Sequence, residues 1–466
     1  MTRSNCSGDC RNCGKCSRYI SETEQTPTKN KPHIIPSDFC PDSHLQLTYG
    51  VAFDLGTTIV SGTLWKLENA EFSGSVSLPN YQSSYGSDVI SRILFCNQSD
   101  ENLLLMHKTL ILCLNDILDE LCIKNGISSS QITRVSFVGN STISHLLLNI
   151  SPRSLAVAPF KPVFLDAQTL SADELGLNTH PQAELLLLPN ISGHVGSDTV
   201  GMILSTRLFN LGGNHIAIDI GTNGEIVAIR NGKMFTCSTA AGPAFEGASI
   251  YNGMRAASGA IETVEFKNYD IKIKTINDLP AIGICGSGLI DAIACLLDLK
   301  IIDSSGRMIT REEASDAGMP QTLVRRLITI EQNNAFILAF KDSGNHIILT
   351  QKDVREVQLA KSAIFAGIQT LMKILNIDTD ELNSILLAGT FGNHINPANA
   401  VKISLIPSVP LEKIVSVGNA AGTGASMALL SEEECLRACE IAKHVEHVEL
   451  SLNTDFQQFY IDAMMF

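Results

Sequence analysis

The sequence of 466 residues lacks any long hydrophobic run. Its N-terminus, MTRSNCSGDCRNCGKCSRY, has no apolar signal-peptide core, and no later stretch reaches the roughly eighteen apolar residues of a membrane span. We therefore expect no secretion and no membrane insertion, and a cytoplasmic location. Basic residues are also scarce, since 34 Lys and Arg stand against 48 Asp and Glu and the formal net charge is −14. Because so acidic a chain without a Lys/Arg cluster repels phosphate backbones, we expect no nucleic-acid partner.

The composition is that of an ordinary globular chain, with 44% hydrophobic and 18% charged residues. This excludes collagen-like, coiled-coil and wholly disordered classes. The length allows about two to four domains. The thirteen cysteines form an odd count in a long chain without an export signal, which favours metal ligands and buried thiols over disulfides.

Residues 1–46 differ from the rest and are interpreted as a Cys-rich segment followed by a linker. The segment has the spacing C-x3-C-x2-C-x2-C, formed by Cys6, Cys10, Cys13 and Cys16. Four thiolates this close favour a compact iron–sulfur cluster, of the 4Fe–4S type, whereas structural zinc usually joins two separated Cys pairs. Zinc, thiols without metal and a tail disordered without metal stay open. The spacing does not decide between one cluster per chain and one shared across a homodimer.

The rest of the chain contains an internal repeat. VAFDLGTT at 51–58 and IAIDIGTN at 216–223 share one pattern, and each is followed by further β-formers. Each copy predicts a buried strand, a turn and a second strand. Two copies in an α/β sequence predict two similar lobes that face a cleft, at 47–212 and 213–466.

The repeated turn has a chemical use. Glycine lets backbone N–H groups approach phosphate oxygens, and hydroxyl or amide side chains add donors. Asp54 and Asp219 can hold Mg²⁺ from opposite sides, directly or through water. One such turn is typical of an ordinary hairpin, but two in the same context favour a phosphate site.

Four glycine-rich turns follow later in the chain. AAGPAFEGASI at 240–250 and ILLAGTFGNHIN at 385–396 are candidates to surround a nucleotide, whereas ICGSGLIDAIA at 284–294 and VGNAAGTGASMALL at 417–430 predict small-residue helices that pack across an inter-lobe hinge. Taken singly, each is also typical of a tight strand-to-helix turn. Amphipathic helices are predicted at 103–126 and, with a capping aspartate, at 353–375.

Several polar residues receive no role from the sequence. His145 is interpreted as a capped or satisfied helix residue rather than a cofactor ligand. His194 and Asp198 fit either the cleft or a turn with an N-cap, and Glu225 fits either Mg²⁺ orientation or an exposed strand position. Glu246 is the better candidate to contact the nucleotide or water.

The motifs together resemble a known superfamily. The ordered set FDLGTT, VGNSTISHLL, AIDIGTNGEI, AAGPAFEGA, CGSGLIDAI, DVREVQLAKSAI and LAGTFGNHIN is similar to the ASKHA ATPases (acetate and sugar kinases, Hsp70, actin), and most of all to the reductive activators of corrinoid proteins. The resemblance covers nearly all of residues 47–430. It implies two RNase-H-like lobes around a nucleotide cleft that holds ATP and Mg²⁺.

Site residues are carried over from the family where the motifs match. The implied catalytic residues are Asp54, Asp219 and Glu246. The implied nucleotide-binding residues are Gly56, Thr57, Thr58, Gly221, Thr222, Asn223, Gly224, Gly242, Gly389, Thr390 and Gly392.

The resemblance also implies an activity, namely ATP-dependent transfer of an electron uphill to an inactive Co(II) corrinoid. The partners would be a corrinoid protein of a methyltransferase system, or another low-potential iron–sulfur protein, and a reduced donor such as a ferredoxin or flavodoxin. The chain departs from the family because the short motif Cys6–Cys16 stands in place of a ferredoxin domain. A small-molecule kinase and a zinc-holding, nucleotide-gated binding module are the alternatives.

Overall fold

The computed structural model describes residues 35–42, 48–392 and 394–466. The four cysteines of the predicted cluster motif, and most of the predicted segment 1–46, lie outside these residues. The strands, in chain order, are β1 Tyr49–Leu55, β2 Ile59–Lys66, β3 Glu71–Pro79, β4 Ile132–Gly139, β5 Gln168–Ser171, β6 Glu184–Leu187, β7 Asn214–Ile220, β8 Gly224–Arg230, β9 Lys233–Thr239, β10 Ala260–Lys267, β11 Asp270–Thr275, β12 Gly283–Ile284, β13 Leu327–Ile330, β14 Asn333–Ala339, β15 Ile347–Thr350, β16 Ser384–Ala388, β17 Ile414–Gly418 and β18 Val445–His447.

Five strands of each six-stranded sheet share one topology, and the sixth strand differs: β5 pairs antiparallel with β6 in the first sheet, and β18 pairs parallel with β9 in the second. The first has the order β3-β2-β1-β4-β6-β5 and the second β18-β9-β8-β7-β16-β17. In each, an antiparallel three-stranded meander is joined to two parallel strands through its first strand, as the pairs β1–β4 and β7–β16 show. This duplicated arrangement confirms the predicted α/β fold with two similar sheet-based lobes.

The two copies of the sequence repeat form matching hairpins. Here the first hairpin is β1, its turn and β2, and the second hairpin is β7, its turn and β8, and both are antiparallel. Buried and half-buried positions follow the same order along β1 and β7: both strands begin with a half-buried residue, and the next half-buried residue is the sixth. The half-buried position near each strand's end is the aspartate, Asp54 or Asp219, because the apolar residues around it face the two sides of a covered sheet.

Helices cover both faces of both sheets. In the described residues they are Val89–Cys96, Asp100–Asn125, Ser141–Leu147, Ala172–Leu175, Ser197–Thr206, Gly286–Asp298, Arg311–Asp316, Gln321–Val324, Gln351–Leu375, Gly389–Gly392, Pro397–Lys402, Ala420–Leu430, Glu432–His444 and Thr454–Asp462. The long helix Asp100–Asn125 packs on the outer face of the first sheet, and Gln351–Leu375 on the outer face of the second. Thr350 caps the latter and Asp353 completes its capping box, so the predicted capping aspartate stands at the third helical position.

Two helices form a shared layer between the sheets. Ser197–Thr206 and Ala420–Leu430 pack on each other in a core that also includes Ala52 of β1 and Ala217 of β7. The packing is close because glycines face each other: a Cβ on Gly424 would lie 2.2 Å from the carbonyl oxygen of Gly201. We call these the inter-lobe helix pair, and they confirm the close helix packing predicted from VGNAAGTGASMALL, whereas the predicted hinge stays a prediction.

The prediction of packing between the lobes is wrong for ICGSGLIDAIA. The helix Gly286–Asp298 packs within the second lobe, against β10 and the helix Pro397–Lys402. Its apolar residues belong to the core of that lobe, and Asp291 accepts a 2.6 Å hydrogen bond from Asn399. Two additional three-stranded sheets, β11-β10-β12 and β13-β14-β15, belong to the same lobe.

Residues 35–42, here called the strap, pack on the body of the protein. Ile35 and Phe39 contact the core around the inter-lobe helix pair. The amide of Asp42 donates to the carbonyl of Leu430 at 3.0 Å, and the Asp38 carboxylate pairs with Arg207 at 3.2 Å. In the part of the chain that the structure describes, no helix is both long and apolar enough to cross a membrane.

Candidate nucleotide site

The turns of the two hairpins converge on one carboxylate. The Thr58 hydroxyl of the first hairpin donates to Oε2 of Glu246 at 2.5 Å, and the Thr222 hydroxyl of the second donates to Oε1 at 2.6 Å. Glu246 ends a short 3₁₀ helix, Ala244–Glu246, in the predicted AAGPAFEGASI loop. Three segments far apart in sequence therefore meet at Glu246, as expected if all three border one ligand.

The neighbouring glycine turns join this meeting point. Gly242, at φ 77°, donates its N–H to the Thr222 carbonyl at 2.9 Å. Gly389, at φ 82°, lies so close to Asp219 that a Cβ would stand 2.3 Å from its Oδ1. The rings of Phe245 and Phe391 stack at 5.4 Å and so bring the 240–250 and 385–396 loops together.

The other predicted nucleotide-binding residues occupy varied positions. Gly56, Thr57 and Gly221 lie in the two turns, and Thr390 lies in the turn after β16. Among the contacts between described residues, none involves the Asn223 side chain, so its predicted role stays a prediction. Gly224 is packed inside β8, where a Cβ would stand 2.8 Å from the Thr239 hydroxyl, and Gly392 packs against Leu387.

Four carboxylates of the two lobes form an electrostatic cluster. It consists of Asp54, Asp198, Asp219 and Glu225, whose charges act on one another. Burial raises the pKa of Asp54 to about 6, against a hydrogen bond from Asn419 that lowers it. Burial, and then the charges of Asp54 and Asp198, raise the pKa of Asp219 to about 7. We refer to these four residues as the carboxylate cluster.

The remaining two members were left open by the sequence. Asp198 is the second residue of the helix Ser197–Thr206, and its pKa is raised to about 6 by burial and, in smaller part, by Asp54. Glu225 is only 9% exposed in β8, so the interpretation as an exposed strand position is wrong. Burial, with the charges of Asp198 and Asp219, raises its pKa.

The donor set fits a divalent cation. Burial is the main cause of the raised pKa values, and neighbouring negative charges add to it at Asp198, Asp219 and Glu225. A bound cation would offset both effects, and carboxylate oxygens are the hard ligands that Mg²⁺ prefers. Among the described residues, no three His, Cys, Asp or Glu side chains are close enough to bind a metal ion together. Mg²⁺ would therefore need phosphate oxygens and water in addition to Asp54 and Asp219.

Three supporting residues had no role in the sequence interpretation. Asn419 caps the helix Ala420–Leu430 and donates to Asp54 Oδ2 at 2.8 Å. Asn140 caps the helix Ser141–Leu147 and donates to the Thr57 hydroxyl at 3.0 Å. Buried Arg92 donates to the Thr57 carbonyl at 2.5 Å. Asn140 and Asn419 do lie in quoted motifs, at helix starts, whereas nothing in the local sequence marks Arg92.

The two histidines stand apart from the cluster. His145 is buried, its Nδ1–H donates to the Ser141 carbonyl at 2.6 Å and its Nε2 accepts from the Val163 amide at 3.0 Å. Both ring nitrogens are thus satisfied, as the sequence interpretation expected. His194 packs on Phe160, with ring centroids 4.9 Å apart.

Family models match almost the whole described chain. Residues 213–466 match the C-terminal domain of RACo, the ASKHA domain, and residues 49–210 match the RACo middle region. The chain belongs to the RACo family. This confirms the resemblance drawn from the motifs and the ASKHA fold of the two lobes.

Two relatives and one solved structure illustrate the similarity. The corrinoid activation enzyme RamQ of Eubacterium limosum is 35% identical over 460 residues, which are 96% of this chain and 76% of that protein. The [Co(II) methylated amine-specific corrinoid protein] reductase of Methanosarcina barkeri is 26% identical over 446 residues, or 89% and 76%. The structure of a reductive activator for a corrinoid, iron-sulfur protein superposes with a TM-score of 0.81 at 33% identity, over 90% of this chain and 66% of that one.

Proposed function

We propose that this protein is an ATP-dependent reductive activator. It would couple ATP hydrolysis to the transfer of one electron from an iron–sulfur cluster, held by Cys6, Cys10, Cys13 and Cys16, to the Co(II) corrinoid of a methyltransferase system, which becomes Co(I). The convergence of both hairpins on Glu246 is the observation that supports the nucleotide-dependent part. The names of the relatives support the corrinoid part.

Phosphate binding is the first task of the cleft. Thr58 and Thr222 already donate to an anionic group, the carboxylate of Glu246, from the two lobes. A phosphate offers the same acceptor chemistry, so both hydroxyls can exchange the carboxylate for phosphate oxygens. Asp54 and Asp219 would hold Mg²⁺, which neutralises the charge of the phosphates.

Glu246 would act in the hydrolysis step once phosphate has replaced its carboxylate between the hairpins. Its carboxylate then lies beside the phosphate and is free to orient a water molecule and accept its proton. The products are ADP and phosphate, and the accepted proton leaves to solvent. We therefore assign Glu246 to the chemical step and Asp54 and Asp219 to cation binding.

The inter-lobe helix pair offers a route from hydrolysis to the partner. Asn419, at the start of Ala420–Leu430, contacts Asp54, and Leu430, at its other end, binds the strap. Driving one electron uphill by about 59 mV costs about 1.4 kcal/mol. Hydrolysis can supply this only if the nucleotide states differ in their affinity for the partner. A reduced ferredoxin or flavodoxin would return the electron to the cluster, in the cytoplasm.

The test is anaerobic reduction of a Co(II) corrinoid protein, followed by the cobalt absorbance, with and without ATP and Mg²⁺. We expect Co(I) only when a reductant, the activator and ATP are all present. Equal reduction without ATP, or ATP hydrolysis that depends on an added sugar or carboxylate, would contradict the proposal and favour the kinase alternative.

Variants separate the two halves of the activity. Asp219→Ala should abolish hydrolysis and leave the iron content unchanged. Cys13→Ser should lose iron and electron transfer but keep nucleotide binding, whereas Cys40→Ser, an exposed cysteine outside the motif, should behave like the wild type. About four iron atoms per chain would indicate one 4Fe–4S cluster in each chain, and about two a cluster shared across a homodimer. Stoichiometric zinc would contradict the cluster.

A further inference from the structure

Three consecutive carbonyls in the turn of the first hairpin each accept a hydrogen bond from another part of the first lobe. The Gly56 carbonyl accepts from Nδ2 of Asn80 at 2.9 Å, and the Thr58 carbonyl accepts from the Asn80 amide, also at 2.9 Å. Between them, the Thr57 carbonyl accepts from the Arg92 guanidinium at 2.5 Å. All three carbonyl oxygens therefore point into the first lobe.

This arrangement fixes the direction of the amides. In a trans peptide the carbonyl and the following N–H point in opposite directions. Because the Gly56 and Thr57 carbonyls face Asn80 and Arg92, the N–H groups of Thr57 and Thr58 face away from them. Successive N–H groups turned to one side form an anion-binding concavity. The turn of the second hairpin has fewer such hydrogen bonds: in the described contacts, the Thr222 carbonyl accepts only the backbone N–H of Gly242.

Arg92 carries a charge that its own neighbours do not neutralise. Its side chain lies in the helix Val89–Cys96, is 2% exposed and bonds to neutral acceptors only: the Gly86 carbonyl, the Gln82 side chain and the Thr57 carbonyl. No carboxylate of the described residues forms an ion pair with it. Burying an unpaired guanidinium is costly, so a nearby negative charge is expected to offset it when the protein acts.

Two negative charges act on Arg92 without forming an ion pair with it: Asp88, which caps the same helix, and Glu246, which lies between the two hairpins. Burial lowers the pKa of Arg92 to about 10, and the charges of Asp88 and Glu246 oppose that shift. Glu246 occupies the place between the hairpins where we propose that phosphate binds. A phosphate there would carry more negative charge than the carboxylate it replaces, so the attraction to Arg92 would increase.

We propose that Arg92 is a positioning residue for nucleotide phosphate. It would orient the Thr57–Thr58 peptide and, by polarising it, strengthen its N–H as a phosphate donor. Arg92 would act through the peptide and not by touching the nucleotide. This role rests on the proposed function, because it requires that the cleft bind a nucleotide.

The test compares a ligand with phosphates to one without them. Affinities for ADP with Mg²⁺ and for adenosine are measured by calorimetry on the full-length protein. For Arg92→Met we expect ADP affinity to fall by about tenfold to a hundredfold, with adenosine affinity little changed. Arg92→Lys keeps the charge but not the forked geometry, so it should lie between the two. It also provides the comparison if Arg92→Met does not fold.

A second buried arginine serves as the control. Arg326 is far from Arg92 in the sequence and is 5% exposed. Its guanidinium donates hydrogen bonds to the carbonyls of Ile337 and Leu338. Arg326→Met should lower stability without changing the ratio of ADP to adenosine affinity. Equal losses for both ligands in Arg92→Met, or no loss, would overturn the positioning role while the wild type still binds ADP. Wild-type protein that binds no ADP would overturn the proposed function and this role together.

Discussion

At the scale of single residues, the carboxylate cluster is expected to lower the stability of the folded protein when its carboxyl groups are ionised. The pKa of Asp219 is raised from 3.8 to about 7 by burial and by the charges of Asp54 and Asp198. A carboxyl whose folded pKa exceeds its unfolded pKa stabilises the fold below the unfolded value, and this stabilisation is lost as pH rises through the folded value. The window is therefore pH 4 to 7, and the effect is at most roughly 4 kcal/mol.

Asp219→Asn removes this charge while keeping the shape of the side chain. At pH 8, without metal or nucleotide, we expect its free energy of unfolding to exceed that of the wild type by about 1–3 kcal/mol, although ATP hydrolysis is lost. The difference should shrink toward pH 4. Urea unfolding in EDTA at several pH values measures it, with the exposed Asp316→Asn as the control. A variant that is less stable than the wild type at pH 8 would refute the argument.

The local sequence predicted only part of this site. Asp54 and Asp219 could be found because each ends a strand of a repeated hairpin, and Glu246 because it follows a glycine turn. Asp198 and Asn419 reach the cluster only through the packing of the inter-lobe helix pair, and Glu225 is buried only because other elements cover β8. Their positions depend on the fold as a whole, which no local spacing encodes.

At the scale of secondary structure elements, the inter-lobe helix pair sets the distance between the lobes. Strands and long helices were predictable from hydrophobic periodicity, but the partner of each small-residue helix was not. ICGSGLIDAIA and VGNAAGTGASMALL both combine a glycine turn with a small-residue helix, yet the first helix packs within one lobe and the second packs between the lobes. The difference lies in what faces each glycine: Gly288 approaches the Ile261 carbonyl, whereas Gly424 approaches Gly201 of the other lobe.

Gly424→Ala tests this close approach. The added Cβ would lie 2.2 Å from the Gly201 carbonyl oxygen and 2.4 Å from its Cα, and backbone atoms cannot move aside cheaply. We expect a loss of about 1–3 kcal/mol in the free energy of unfolding, measured by urea or thermal denaturation, and weaker nucleotide binding because Asn419 shifts with the helix. The control is Gly212→Ala, where the Cβ would meet nothing within 4 Å. Equal stability of the two variants would show that the helices can separate freely.

At the scale of the whole molecule, one arginine joins the strap to both lobes. Arg207 follows the helix Ser197–Thr206 of the first lobe and forms a two-pronged ion pair with Glu434, at 2.6 and 2.8 Å, on the helix Glu432–His444. It also pairs with Asp38 of the strap. The strap is part of the predicted segment 1–46, so this contact holds the described part of that segment on the body.

Breaking this ion pair should therefore destabilise more than a local contact. Arg207→Met leaves Glu434, 4% exposed, as a buried charge whose remaining ion-pair partner among the described residues is Arg437. We expect a loss near the lower end of about 3–5 kcal/mol and faster hydrogen exchange of the Asp42 amide. The matched control is Arg307→Met, which removes an equally bidentate but exposed pair with Glu313 and should change stability far less, because solvent screens an exposed ion pair. Urea midpoints and native-state hydrogen exchange measure both effects. Equal losses in the two variants would show that the Arg207 ion pair contributes no more than a surface pair and that the other strap contacts, from Ile35, Phe39 and Asp42, suffice to hold it.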